Sequence, residues 1–525
     1  MGNWIKGLIL VSFAFSVLAG RSIETRNEAP SVEDYWNQAE LSEKDLFDFL
    51  DNDFCHTSER YFLSCANSLQ QVSIRYGKIF LPESGLNPIK KDADSVISEI
   101  TLLKPWKEFY SLFEKGLKNP IDFESHWQLL NNQFANEKRR GIMLGTALNG
   151  FLSIFRDPHT YLVPVEYYKQ VIASSEHKSS NYGFFVAQVG EKFYVKKVIK
   201  GSLAFQVGLR KGDRLLKIQK QSTEKMTLVE LNEILRDQKA KKLALKVVNS
   251  KNQKIKDYDL IKSSEKQSTV HAEIISAESQ TALLTIDRFA RSSCEKVKTV
   301  LLDLNSKNIK NLIIDLRDNP GGQMDETGCI ASLFTGPDRR IFSVRYQDKK
   351  LRPDSYYSEE QQIFKGKIVV LVNRGTASAA EILAGALREY NKALLVGERT
   401  FGKGSFQEGD IWKQNKKLAL FETKGFYYLP SGFTPQKVGL EPDFQIESPN
   451  QFSGLAPIIG SREEDQYWQP LDSGVSTVKR KLGRGLKIER CNTSKSPLIA
   501  TDDPELIQAE LAFNCWGLAT AEGGF

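Results

Sequence analysis

The chain of 525 residues is short of the groups that hold metals and of the runs that cross membranes. Its five histidines, His56, His126, His159, His177 and His271, are scattered, and no Cys-x-x-Cys pair or spaced His/Cys set accompanies them. That pattern argues against a metal centre. No dense block of lysine and arginine occurs, although the net charge is +7, which turns the reading away from nucleic acid. Long apolar runs are missing too, apart from one near the start. There, Met-Gly-Asn-Trp-Ile-Lys6 is followed by Gly7 to Ala19, a short basic stretch and then an apolar one too brief for a confident membrane helix. With small residues at Ala19 and Gly20 it reads as a cleavable secretory signal over residues 1–20, an uncleaved anchor being the alternative. No cysteine ends the run, which speaks against a lipoprotein.

Six cysteines are present, and in an oxidising compartment an even number suggests up to three disulfides. Cys55 and Cys65 are close in sequence, and Cys491 and Cys515 bracket the tail. Cys294 and Cys329 fall in the expected core, where free buried thiols are the competing reading. The length predicts two to four domains.

Residues 31–168 carry helical patterning. Ser42-Glu-Lys-Asp45 has the form of a capping box, and Ile142, Leu144, Leu148, Phe151, Leu152 and Phe155 keep helical spacing up to Asp157-Pro158. Residues 269–447 alternate strands and helices. The sequence predicts strands at Ala282–Ile286, Asn311–Asp315, Ile368–Val372 and Ala393–Val396, and helices at Glu295–Asn305 and Ala380–Arg388, hence an α/β layered core. Ser378 then falls at a strand-to-helix turn. Such a turn exposes a hydroxyl and aims helix N-terminal amides at an oxyanion. Lys403 follows on a glycine-flanked turn after the next strand. A lysine that gives up its proton near neutral pH can serve as the base for a serine. Thr376 and Ser405 are rival hydroxyls: Thr376 precedes the expected turn, and Ser405 stands too near Lys403 in sequence.

Two segments, Asn373-Arg-Gly-Thr-Ala-Ser-Ala-Ala-Glu381 and Thr400-Phe-Gly-Lys-Gly-Ser-Phe-Gln407, resemble the catalytic motifs of the C-terminal-processing (tail-specific) serine peptidases. By that resemblance Ser378 is the nucleophile, Lys403 the base and Gln407 the third member of a triad. Leu316-Arg-Asp-Asn-Pro-Gly-Gly322 is similar to a family loop that supplies an oxyanion-hole amide. The resemblance assigns Gly321 or Gly322, together with Ala379. Gly425 to Gly432 and Gly439-Leu-Glu-Pro-Asp443 look like the family's closing segment, and Asp157-Pro-His-Thr-Tyr161 resembles a turn found just before its PDZ domain. His159 is read there as structural. Gly201 to Ile218 resembles a PDZ core run, with Leu203 where proline is usual, and Gly183, Phe184, Phe185 and Val186 look like its carboxylate-binding loop and first strand.

The resemblance thus implies a multidomain α/β protein. A crotonase-like peptidase core over 269–447, with contributions from the N-terminal region, carries a PDZ domain inserted at 180–262, and the N-terminal region 31–168 is helical. The tail 448–525 has no assigned role; a disulfide-tied extension and a cover over the core are both open. The expected activity is Ser–Lys(–Gln) endopeptidase action on polypeptides held by their C-termini, in the periplasm, cell envelope or secreted space. No cofactor, nucleic acid or lasting membrane span is expected, and a homo-oligomer or an adaptor partner stays open. The alternative is a catalytically silent PDZ scaffold or peptide-binding chaperone on the same fold.

Overall fold

The computed structural model describes residues 32–47, 127–128, 140–153, 157, 159–169, 182–189, 192–199, 201–224, 226, 231, 234–235, 242–250, 252–261, 268–446 and 503–515. The leader expected over 1–20, and Cys55, Cys65 and Cys491, lie outside them.

The core is built on a six-stranded sheet. In spatial order its strands are Phe444–Gln445, Ala393–Gly397, Lys367–Val372, Asn311–Asp315, Thr281–Ile286 and Val270–Ser276. All pairings are parallel except the last. Parallel strands buried on both faces need unbroken apolar runs, and Leu312-Ile-Ile314, Ile368 to Val372 and Leu394 to Val396 supply them. Alternation along each strand then divides the side chains between two faces. Leu284, Ile314 and Val370 pack with the helices Ser293–Ser306, Met324–Thr335 and Ala379–Glu389. Leu283, Ile313, Val369 and Leu371 point the other way and are covered by Leu506, Ala509 and Phe513 of the segment around the helix Pro504–Ala512. This part of the tail is therefore a cover over the core.

A second sheet holds Leu418–Tyr428 between Tyr161–Pro164, from the N-terminal region, and Arg340–Tyr346. Ser405–Ile411 also pairs with Leu418–Tyr428, with an irregularity at Phe406/Gln407. Upstream, the helix Arg140–Ser153 ends before Pro158, and Ser42 and Asp45 exchange the reciprocal bonds of the capping box at Glu43–Phe47.

The third sheet spans 184–261 and has its own core, including Phe184, Phe193, Leu215 and Leu245. Phe184–Val189 is its edge strand, paired on one side with Lys192–Val198. Two lysines tie this unit to the main core. Lys197 Nζ lies 3.0 Å from Asp287 Oδ1 and donates to the Asp318 carbonyl at 3.2 Å, and Lys211 Nζ lies 3.0 Å from Asp318 Oδ2.

Of the two readings open for the core cysteines, the disulfide holds. Cys294 and Cys329 are not free thiols but form a disulfide between the helices Ser293–Ser306 and Met324–Thr335. They start from adjacent helices of one layer, whose packing brings their Cα atoms to 5.9 Å, within bridging range.

Candidate active site

The carboxyl ends of the parallel strands deliver three loops to one edge of the sheet, the usual place for chemistry in open α/β sheets. Lys367–Val372 runs into the turn carrying Ser378, Ala393–Gly397 into the turn carrying Lys403, and Asn311–Asp315 into the loop carrying Gly321 and Gly322. Ser378 has φ 56° and ψ −121°, a left-handed conformation rarely adopted by a residue with a side chain. Holding it there costs on the order of 1–3 kcal/mol, so the surroundings must over-determine it.

They do so through Glu381. This carboxyl is completely buried and accepts four hydrogen bonds. One oxygen takes the Ser378 and Lys403 N–H groups, each at 2.9 Å. The other takes the Thr400 hydroxyl at 2.6 Å and the Gly402 N–H at 2.9 Å. A single side chain thus binds the backbones of both candidate catalytic residues. Burial pushes its pKa up to about 7, against the pull of the four donors, which favour the ionised form. From the opposite side the Tyr427 hydroxyl reaches the carbonyls of Ser378 (3.1 Å) and Lys403 (2.9 Å).

Lys403 Nζ donates to Gln407 Oε1 at 2.5 Å and to the Ser405 carbonyl at 3.2 Å. Gln407 Nε2 in turn donates to Ser405 Oγ and Thr423 Oγ1. Lys403 and Gln407 are thus in direct contact, and Glu381 holds the Ser378 backbone beside that of Lys403. The rival hydroxyls have other partners: Thr376 Oγ1 donates to the Leu316 carbonyl and accepts from the Asn373 N–H, and Ser405 Oγ takes the Gln407 amide.

The glycine loop is moulded onto the Ser378 turn. A Cβ on Gly321 would lie 2.9 Å from the Ala377 carbonyl oxygen and from Ser378 Cβ, and one on Gly322 would collide with the Phe289 carbonyl at 2.1 Å. Both glycines have positive φ, so backbone freedom and close approach coincide here. Asn319, fully buried, accepts the Ala377 N–H on its carbonyl. Its side-chain oxygen accepts the Gly321 N–H at 2.8 Å. That bond occupies the Gly321 amide. No described residue accepts the N–H of Gly322 or of Ala379, the first residue of the helix that follows Ser378. The loop is anchored behind by Arg317, which pairs with Asp315, Asp503 and Glu505 at 2.6–2.8 Å, and beside by the Lys197 and Lys211 contacts to Asp318.

In the edge-strand unit, Gly183 (φ 83°) precedes buried Phe184, while Phe185 is exposed. Sequence reasoning assigned no work to Glu381, Asn319, Tyr427, Asp318 or the two lysines. Only Glu381 carried a local signal, a glutamate three residues after a serine at a helix start.

Residues 280–446 match the model of peptidase family S41, and residues 170–248 match that of the PDZ domain. A probable CtpA-like serine protease of Staphylococcus aureus is 25% identical over 369 residues, covering 68% of this chain and 72% of that protein. Its counterpart in Staphylococcus epidermidis is 24% identical over 387 residues, covering 73% and 76%. Among solved structures, a photosystem II D1 C-terminal processing protease aligns with a TM-score of 0.44 at 19% identity, over 70% of this chain and all of that one.

Proposed function

We propose that this chain, a PDZ-bearing serine peptidase of the C-terminal-processing S41 family, cleaves polypeptides by a Ser–Lys acyl-enzyme mechanism with Ser378 as nucleophile and Lys403 as base. The observation that carries the reading is the 2.5 Å contact from Lys403 Nζ to Gln407 Oε1, in a cluster where Glu381 holds the Ser378 and Lys403 amides on one oxygen. A neutral amine has two hydrogens and one lone pair. Donation to Gln407 and to the Ser405 carbonyl orients the amine, and in this reading its lone pair takes the Ser378 proton. The serine oxygen then attacks the scissile carbonyl, and the Gly322 and Ala379 amides receive the oxyanion. The lysine ammonium returns its proton to the leaving amine. Water, deprotonated by the same lysine, hydrolyses the ester and regenerates Ser378.

Substrates enter by their C-termini. Phe184–Val189 lies at a sheet edge and can take a peptide as an added strand, with the Gly183–Val186 loop around its carboxylate. The leader-like first twenty residues support action outside the cytoplasm, in the periplasm, the cell envelope or the secreted space.

The test is incubation with an unfolded polypeptide and mass spectrometry of the products. Wild type should yield fragments. Ser378→Ala and Lys403→Ala should each yield none while keeping the far-ultraviolet spectrum of wild type, and the double variant should be no worse. Turnover by either single variant would overturn the assignment.

A further inference from the structure

Gln407 can serve Lys403 only if its amide faces the right way. An amide has one accepting and one donating end, and exchanging them would present Nε2 hydrogens to the amine. Hydrogens aimed at a neutral lysine engage the lone pair that must take the serine proton. What fixes the orientation lies farther out.

Thr423 stands opposite Gln407 across the strands Ser405–Ile411 and Leu418–Tyr428 and is buried. Its hydroxyl has a single hydrogen, given to Asp157 Oδ1 at 3.0 Å. Toward Gln407 it therefore offers only a lone pair, and Nε2 donates to it at 3.3 Å. Asp157 is held in turn: Oδ2 accepts the Thr160 hydroxyl at 2.5 Å, and Oδ1 accepts the His159 N–H at 3.0 Å. Thr160 Oγ1 also accepts the Thr423 N–H at 3.0 Å, closing the loop onto the strand. Every bond in the chain from Asp157 through Thr423 and Gln407 to Lys403 has a defined direction, and the carboxylate at its far end accepts only.

We propose that Asp157 and Thr423 are positioning residues that set the orientation of the Gln407 amide, and through it the direction of the Lys403 lone pair. The proposal rests on the Ser378–Lys403 reading. It gives the Asp157–Tyr161 turn, 266 positions from Thr423, a task in the reaction although it touches no substrate. Without Asp157 the Thr423 hydroxyl is released to donate to Gln407, and both amide orientations become populated.

The experiment measures steady-state kinetics on a fluorogenic peptide for Thr423→Val, Thr423→Ser, Asp157→Ala and Gln407→Ala, and for Asp157→Ala combined with Gln407→Ala. Thr423→Val and Asp157→Ala should each lower kcat about tenfold, part of the range general-base catalysis spans, with KM changed less than about twofold. Thr423→Ser, which keeps the hydroxyl, should stay within about threefold of wild type. In the Gln407→Ala background, adding Asp157→Ala should cost nothing further, because no amide remains to orient. A purely structural role would instead lower kcat by the same factor in both backgrounds, or would follow loss of fold in circular dichroism. Either result, or wild-type kcat in Thr423→Val, overturns the proposal. If Thr423→Val does not fold, the Asp157→Ala cycle decides alone. Ser378→Ala and Lys403→Ala run alongside: activity in those variants refutes the catalytic reading, whereas their inactivity with an additive Asp157 effect refutes only the positioning role.

Discussion

Replacing Glu381 with glutamine keeps the shape of a fully buried side chain and removes its ability to charge. The amide oxygen can take one pair of the donors that the carboxyl now holds. Turned toward Ser378 and Lys403 it keeps both of their N–H bonds, while the amide nitrogen meets the Thr400 hydroxyl, which can rotate to accept, and the Gly402 N–H, which cannot. One stranded buried donor costs about 1–3 kcal/mol, so the variant should lose roughly 2 kcal/mol in acid conditions. The pH dependence is then set by wild type alone. Its carboxyl is raised from 4.5 to about 7, so the stabilisation that goes with the protonated form is fully present below pH 4.5 and is withdrawn as pH rises through 7. A shift of that size amounts to about 3 kcal/mol, at roughly 1.4 kcal/mol per pH unit, and most of it falls between pH 5 and pH 8. The gap between wild type and Glu381→Gln should therefore shrink with rising pH, close near about pH 6 and reverse by about 1 kcal/mol by pH 8. Native-state hydrogen exchange of the Ala379–Glu389 helix, compared between the two proteins at each pH, reads this difference directly. A wild-type advantage that stays constant, or widens, from pH 5 to pH 8 would refute the reasoning. Glu381→Ala, which strands all four donors, should be worse than the glutamine variant in stability and in turnover.

The Cys294–Cys329 bridge closes a loop of 35 residues, so Cys294→Ser should cost about 3–4 kcal/mol by the loop-entropy estimate. Thermal unfolding with and without reductant should show wild type converging on the variant only when reduced. Gly322→Ala should abolish turnover, since its Cβ collides with the Phe289 carbonyl and displaces the amide, while peptide binding to the edge-strand groove of the full-length protein, read by fluorescence polarisation, stays at wild type. Amidating a substrate's C-terminus should lower kcat/KM at an unchanged scissile bond; equal values for acid and amide would leave the PDZ unit without a recognition role.

What the sequence made legible was whatever local chemistry writes down. The parallel strands were readable because burial on both faces leaves runs such as Ile368 to Val372 with no polar break, and the Ala379–Glu389 helix was readable because a small-residue turn precedes it. The Ser378 and Lys403 turns stood out as glycine- and alanine-rich interruptions between such elements. Non-local partners left no comparable mark. The turn at Asp157 has a family resemblance but shows nothing of its partner Thr423, and only the pairing of Tyr161–Pro164 with Leu418–Tyr428 lays that turn beside the Gln407 strand. Lys197 and Lys211 look like solvated surface lysines until the PDZ unit is set against Asp318. The tail was undecidable for the same reason: Leu506, Ala509 and Phe513 show a half-apolar helix, but not that the sheet offers an uncovered apolar face.

That division also says where function is most exposed to change. The groups proposed to react sit on two turns that Glu381 holds side by side. Their alignment depends on three remote elements: the N-terminal turn at Asp157, the tail helix that clasps Arg317 through Asp503 and Glu505, and the PDZ unit holding Asp318. One acts on Gln407 through Thr423, and the other two act on the same glycine loop. Arg317 and Asp318 are adjacent in that loop and are held from two sides, by the tail and by the PDZ unit. A displacement of either support acts on the backbone that carries the Gly322 amide, the proposed oxyanion donor.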